Sequence, residues 1–230
     1  MHDYGMTNNL LHTANVPSLF DQFDCPALED DGGTIYGLWP DLTLAYFNPG
    51  WTRFAEQNGG EPQISAEWNL GRCILDAIPD PLRAFFVSNY AKCLREGRPW
   101  EHTYECSSPE LFRLFHMMVF PVKNGAGLLV VNSKRQESPH KRTPHLPLEE
   151  LYRNEHGIVA QCCHCRRIRR AGSDQVWDWV PAWVKAQPPN TSHGLCAPCY
   201  GYYYSPDKDD RRGFAIPFET EEDGLRSVPQ

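Results

Sequence analysis

DPLRAFFVSNYAKCLREGRPWEHTYEC, residues 80–106, decides how this chain is read. Asp80 can cap a helix, and Pro81 suits the first helical position, where the missing N–H would have no partner anyway. Gly97 marks the stop. Between them Leu82, Phe85, Phe86, Tyr90, Cys93 and Leu94 recur at helical spacing, so one face of the helix packs on a sheet. The period then drops from about 3.6 to 2. Trp100, His102, Tyr104 and Cys106 alternate with Glu101, Thr103 and Glu105, the pattern of a strand with one face in the core.

Outward from this segment the same signals recur. Downstream, LFRLFHMMVFPV (111–122) is apolar on both faces, so its second face must be covered, by the N-terminal arm or by a partner subunit. The turn KNGAG then leads into a further strand from Gly127 to Val131. Upstream, GTIYGLWPDLTLAYFNPGWTRFAEQNGG (33–60) reads as two strands, 34–39 and 42–47, joined by a tight turn at Pro40 and Asp41. Asn48 can cap the next helix, with Pro49 in its first turn. The order is strand, strand, short helices, long helix and three strands.

Bulk composition sets the frame. The 230 residues suit one domain of about 100 residues plus a smaller module. Hydrophobic residues at 41% and aromatics at 12% suffice for a core and exclude a wholly disordered chain. No run approaches the roughly 18 apolar residues of a membrane helix, and MHDYGMTNNL lacks a basic start and an apolar core, so a cytoplasmic protein away from the membrane is expected. Net charge −7 argues against general nucleic-acid affinity. Residues 1–33 hold six acidic groups and no Lys or Arg, an acidic solvated arm. NSKRQESPHKRTPHLP brings prolines and basic residues without periodicity, which predicts a linker over 134–150. A cysteine module over 151–206 and an acidic tail over 207–230 complete the chain, and no internal repeat is present.

The segment 34–133 resembles a PAS domain. PDLTLAYFNPGWTRFA is similar to that family's second strand, Asn-Pro turn and first helix, and residues 80–106 with FRLFHMMVFPV are similar to its long helix and last strands. The resemblance implies an α+β fold: a five-stranded antiparallel sheet with helices on one face, in a family that senses small ligands, light or redox state, or mediates dimerisation. A flavin-binding light sensor of that family resembles Asn-Cys-Arg-Phe-Leu at its reactive cysteine. GRCILDAIP lacks that pattern, and Cys73 reads as a small apolar core residue. Haem-binding relatives take a histidine from the long helix, and residues 80–97 contain none. Neither flavin nor haem is therefore implied. The expectation is a well-packed core, or a small unlinked ligand held by Trp100, His102, Tyr104 and Phe115.

The nine cysteines are unevenly placed: five of them fall within residues 162–199. QCCHCRRIRR (161–170) and SHGLCAPCY (192–200) each contain C-x-x-C, and two such pairs supply the four thiolates of a tetrahedral zinc site. Cys162, Cys165, Cys196 and Cys199 give both halves the same knuckle spacing. A closed shell of four protein ligands leaves no position for water, so the ion is structural. A thioredoxin-like motif has a single C-x-x-C, and covalent haem needs histidine where Arg166 stands. Free thiols or a disulfide are the plainer alternatives. His193, His164 and Cys163 stand as substitute ligands, and Cys163 as a reactive thiol if the adjacent arginines lower its pKa. The segment is also similar to a short C-x-x-C and Ser-His-Gly-x-Cys module found beside PAS domains in bacterial signalling proteins.

Arg166, Arg167, Arg169 and Arg170 form a basic patch with no further basic or aromatic groups extending it, so pairing with acidic groups is expected over nucleic-acid contact. Trp177, Trp179, Val180, Trp183 and Val184 read as a hydrophobic plug beneath the knuckles. No Ser-His-Asp arrangement, phosphate loop or acid pair stands out, so the expectation is a non-enzymatic sensor acting through protein contacts. A PAS-mediated homodimer, an unidentified signalling partner and a small-molecule ligand complete it, with a zinc-dependent nucleic-acid-binding regulator as the alternative.

Overall fold

The computed structural model describes residues 22–205, which fall into two compact units: 22–77, 87–102 and 117–133 in the first, 78–86, 103–116 and 134–205 in the second. Residues 1–21 of the acidic arm and the tail expected over 207–230 lie outside the described residues. No described helix is long and apolar enough to cross a membrane.

The first unit is organised around Asn48. Strands β1 (Thr34–Leu38) and β2 (Leu44–Phe47) pair antiparallel, with Tyr36 opposite Phe47. Asp41 accepts from both the amide and the hydroxyl of Thr43, and Leu42 takes φ 66, which closes the turn between them. Asn48 caps α2 (Pro49–Gln57), as its position before proline predicts. It is only 1% exposed, and its side chain does more than cap. Oδ1 accepts from the amides of Ile35 and Trp51 at 3.0 and 3.2 Å, and Nδ2 donates to the carbonyls of Leu28 and Gly33, both at 3.1 Å. One amide thus ties β1, α2 and the preceding segment together. Gly50 is dictated by the same crowding: a Cβ there would lie 2.0 Å from the Gly33 carbonyl oxygen.

A five-stranded sheet has the order β2-β1-β5-β4-β3, with β3 (Trp100–Glu105), β4 (Leu111–Pro121) and β5 (Leu128–Pro139) following α3 (Gln63–Glu67) and the long helix α4 (Asp80–Glu96). β1 pairs antiparallel with β5. Gly97 at φ 62 ends α4 as expected, its amide closing onto Cys93. Tyr36 packs against Trp51 of α2, and the Cys93 thiol of α4 donates to the Val119 carbonyl, so these two helices serve one face of the sheet. Ile35, the next residue to Tyr36 in an alternating strand, faces the other way. There Ile35, Tyr46, Val122 and Leu129 pack with Phe120 and with Phe23 and Leu28 from the segment around α1 (Cys25–Asp30). The Phe120–Val122 end of the apolar strand's second face is therefore covered by the chain's own N-terminal segment, whereas Phe112 at its other end meets His140 and Arg142. Gln22 fastens the N-terminal segment by donating to the Pro121 carbonyl and accepting from the Lys123 amide at 2.8 Å.

The second unit differs from the sequence reading in three places. β5 runs to Pro139, six residues past 133, into the stretch read as linker. Its residues 133–137 are exposed and polar, so no periodicity betrays the strand. Glu105, which the alternation of β3 places outward, is only 6% exposed. Cys106, assigned to the core-facing set, is only partly buried. Arg142 explains Glu105: its fork meets that carboxylate at 2.6 and 2.8 Å. Beyond it, α5 (Glu149–Tyr152) leads to a four-stranded sheet, order β8-β7-β6-β9, of β6 (Val159–Cys162), β7 (Ile168–Arg169), β8 (Trp177–Asp178) and β9 (Thr191–Gly194). Helix α6 (Pro181–Lys185) precedes β9 and α7 (Ala197–Tyr204) follows it. Tyr152, Val159, Ile168, Val180 and Trp183 form a small core. Of the plug expected from the sequence only Val180 and Trp183 join it, while Trp177 packs against the cysteines and Trp179 lies against His140 and Arg142.

Candidate metal centre

Two strands deliver the two knuckles to one point. β6 ends at Cys162, and the chain reverses through Cys163, His164 and Cys165 into β7. The Arg166 amide closes the turn on the Cys162 carbonyl at 3.0 Å, and Arg166 itself takes φ 62. β9 lies parallel to β6 with Gly194 opposite Cys162, which carries Cys196 to the first knuckle. Cys196 starts α7, with Pro198 in its first turn, and Cys199 follows one turn on. The amide of Cys163 donates to Gly194 and that of Cys196 to the Cys162 sulfur at 3.5 Å.

Cys162, Cys165, Cys196 and Cys199 place all four sulfurs within 4.8 Å of one another, and none is more than 2% exposed. The Sγ atoms of Cys165 and Cys196 are 3.7 Å apart. A tetrahedron with metal–sulfur bonds of about 2.3 Å has edges of about 3.8 Å, so this edge matches a shared ion. The electrostatics of the cluster point the same way. Hydrogen bonds from Cys165, Cys196 and Cys199 hold the Cys162 thiol far below the usual cysteine value. Bonding to Cys162 and then to Cys165 drives Cys199 far above it. Four buried sulfurs cannot all ionise alone, whereas a divalent cation allows it.

The surrounding groups fix the knuckles. His164 is 5% exposed; its Nε2 accepts from the Glu105 amide at 3.4 Å, and its Nδ1 lies 2.6 Å from the Tyr203 hydroxyl. Burial pulls its pKa down to about 4, so the ring is neutral, and both nitrogens are engaged away from the sulfurs. Arg142 donates to the Cys165 carbonyl at 3.3 Å as well as to Glu105. Its plane lies over Trp179 at 4.9 Å and Phe112 at 5.8 Å. Ser107 completes the Glu105 carboxylate at 2.6 Å.

Other sequence candidates fall elsewhere. His193 is exposed, its Nε2 3.3 Å from the Gln187 amide nitrogen. Cys163 is not activated: burial first, then the charge on Cys162, pushes its thiol up to about 12. Three arginines of the basic patch are engaged locally. Arg166 donates to the Val184 carbonyl, Arg169 meets Asp174 at 2.7 Å, and Arg170 meets Asp178 at 2.5 Å. Tyr152 donates to the same aspartate at 2.9 Å. Of the residues expected to hold a ligand, Trp100 stacks on His102 in the first unit and Tyr104 on Phe115 in the second. Glu105, Arg142 and Tyr203 escaped the sequence reading, because each earns its place through a partner distant along the chain.

No protein-family model and no curated protein matches the sequence. Solved structures with similar folds exist. They include phage VqmA in complex with DPO (TM-score 0.36, 13% identity, 53% of this chain and 53% of that one). The photoactive yellow protein domain of the sensor histidine kinase Ppr from Rhodospirillum centenum follows (0.35, 9%, 50% and 96%). A PAS domain from Colwellia psychrerythraea is a third (0.33, 13%, 47% and 91%). The chain spans about half the length of the first. The sheet order and the placing of its helices make this a PAS-like fold, joined in one chain to a four-cysteine cluster that can hold a metal ion.

Proposed function

We propose that this chain is a non-enzymatic sensory protein of PAS type that responds to a small ligand or to redox state and passes the response on through protein contacts. Residues 34–133 would form the sensory part and 151–206 a metal module, with one structural zinc ion held by Cys162, Cys165, Cys196 and Cys199. The observation that carries the metal reading is the closed set of four buried sulfurs within 4.8 Å of one another. A shell filled by protein donors has no site for an activated water, which favours a structural over a catalytic ion. For the sensory part, the support is the sheet order and the buried His102 stacked on Trp100, where we place ligand contact. Such a ligand would act by favouring one packing of the sheet over another against a second copy or a signalling partner. The arginines' local pairing speaks against the nucleic-acid-binding alternative.

Elemental analysis and an absorption spectrum of the reduced, purified protein test the reading. One zinc per chain with no visible chromophore is the expected result. A metal-free protein with a folded C-terminal region sinks the metal assignment. Salt-sensitive retention of DNA or RNA in a gel-shift assay overturns the protein-partner reading.

A further inference from the structure

β3 is an outer strand of the five-stranded sheet. An outer strand carries a row of N–H and C=O groups that no strand pairs, and such a row invites pairing with another chain. Thr103 and Glu105, two apart, direct their backbone groups to the same side. The Cys106 amide donates to Arg113 of β4, so the groups of Thr103 and Glu105 face away from β4. Here one group of each, the Thr103 carbonyl and the Glu105 amide, is satisfied by the cysteine module. Tyr202 donates its phenol to the Thr103 carbonyl at 2.7 Å, and His164 Nε2 accepts from the Glu105 amide at 3.4 Å.

These two caps come from the two knuckles. His164 lies between Cys162 and Cys165, and Tyr202 lies on α7, the helix that Cys196 and Cys199 begin. The neighbours of Tyr202 fasten the same helix. The Tyr203 ring meets Phe85 edge-on at 4.9 Å, and the Tyr204 hydroxyl donates to the Pro81 carbonyl in the first turn of α4 at 2.5 Å. Arg142 adds a third connection, from the Cys165 carbonyl to the Glu105 carboxylate.

We propose that metal occupancy of the four-cysteine centre gates the outer edge of β3: the bound ion fixes both knuckles, and the knuckles close the edge at Thr103 and Glu105. This rests on the metal reading above. Without the ion the four sulfurs lose their common centre, and His164 and α7 are left to Arg142 and to the Tyr203 and Tyr204 contacts with α4 for their register with β3. The edge opens, leaving a backbone donor and a backbone acceptor free to pair with an incoming strand. Linkage makes the effect reciprocal: whatever loosens the edge caps weakens metal binding by the same factor.

The test uses the full chain, isotopically labelled, with zinc content measured at each step. Removing zinc with a chelator under reducing conditions should speed exchange of the Glu105 amide by about tenfold or more. The Ile35 amide, held by Asn48 in the first unit, serves as the internal reference and should stay within about twofold. The double variant Tyr202→Phe/Tyr204→Phe keeps both rings and deletes only the two phenol oxygens. Zinc affinity should fall by about tenfold. Tyr200→Phe, at a residue 59% exposed, should leave affinity unchanged. Undiminished Glu105 protection in zinc-free protein, or parental affinity in the double variant, overturns the proposal. A parent chain that takes up no zinc at all defeats the metal reading first and the gate with it, and elemental analysis tells the two failures apart.

Discussion

The buried pair Glu105–Arg142 offers the sharpest test of how the second unit is held. Side-chain exposures are 1% for Glu105 and 4% for Arg142. Arg142→Met keeps an apolar stem and removes the charged fork, together with the guanidinium that lies over Trp179 and Phe112. Glu105 would then keep only the Ser107 hydroxyl at 2.6 Å against full burial. Breaking one side of such a pair costs about 3–5 kcal/mol. With a urea slope of about 2 kcal/mol/M, the unfolding midpoint of the zinc-loaded protein should fall by roughly 1.5–2.5 M. Adding Glu105→Gln removes the stranded charge, so the double variant should recover a large part of the loss. The pH dependence has a definite sign. Burial lifts the Glu105 carboxyl above its ordinary value even with Arg142 in place, and losing Arg142 lifts it further. The folded state then binds the extra proton, so stability falls as pH rises between the unfolded and folded pKa values. The deficit of Arg142→Met should be smallest near about pH 5 and larger near about pH 8. A loss below about 1 kcal/mol, or a double variant no better than the single one, would refute the argument.

Two further outcomes follow from the same structure. Asn48→Ala strands the Ile35 amide and the Leu28 and Gly33 carbonyls, while the Trp51 amide keeps the residue-48 carbonyl at 3.0 Å, so a loss of roughly 2–4 kcal/mol is expected in chemical unfolding, and a cost under about 1 kcal/mol would mean that water replaces the side chain. With its thiol at about 12, Cys163 is ionised in only about one molecule in ten thousand near pH 8. Mass-resolved alkylation should therefore label exposed Cys25 long before Cys163, and equal rates would show that the thiol is not shielded.

How far the sequence reaches depends on the range of the interaction involved. Asn48 before proline and Gly97 after an amphipathic run are local signals, and both elements appear where the local chemistry puts them. The cysteine pairs are legible for a different reason: metal coordination restricts ligand type and spacing so tightly that two short motifs predict a contact 31 residues apart. Glu105 had no such help. Alternation assigns a charged residue to the outside of a strand, and only an arginine 37 residues away reverses that. That arginine sits among prolines in HKRTP, where its sequence neighbours look like any solvated linker. His164 is similar, with the partner of its Nε2 59 residues distant. Arg169 and Arg170 do pair with acidic groups, and the partners are aspartates five and eight residues on, within turns and a strand of only two residues.

Arg142 shows why this buried cation suits its position. Burial works against its charge, yet Glu105 more than offsets that, and the sulfurs of Cys165 and Cys199 add to the attraction. A tetrathiolate around a divalent ion carries net charge of about −2 by formal count, so the guanidinium stands between two anionic groups. It answers both with directed bonds: the fork to the carboxylate and one Nη to the Cys165 carbonyl. Lysine could match the charge but not the planar fork or the stacking on Trp179. The ion and the ion pair are thus not independent supports. Loss of the metal removes part of what keeps Arg142 charged and placed, and loss of Arg142 frees the carbonyl of a ligand residue together with the strand end that His164 caps. A module this small, whose apolar core is a handful of side chains around Tyr152 and Ile168, gains its definition from that shared dependence rather than from burial alone.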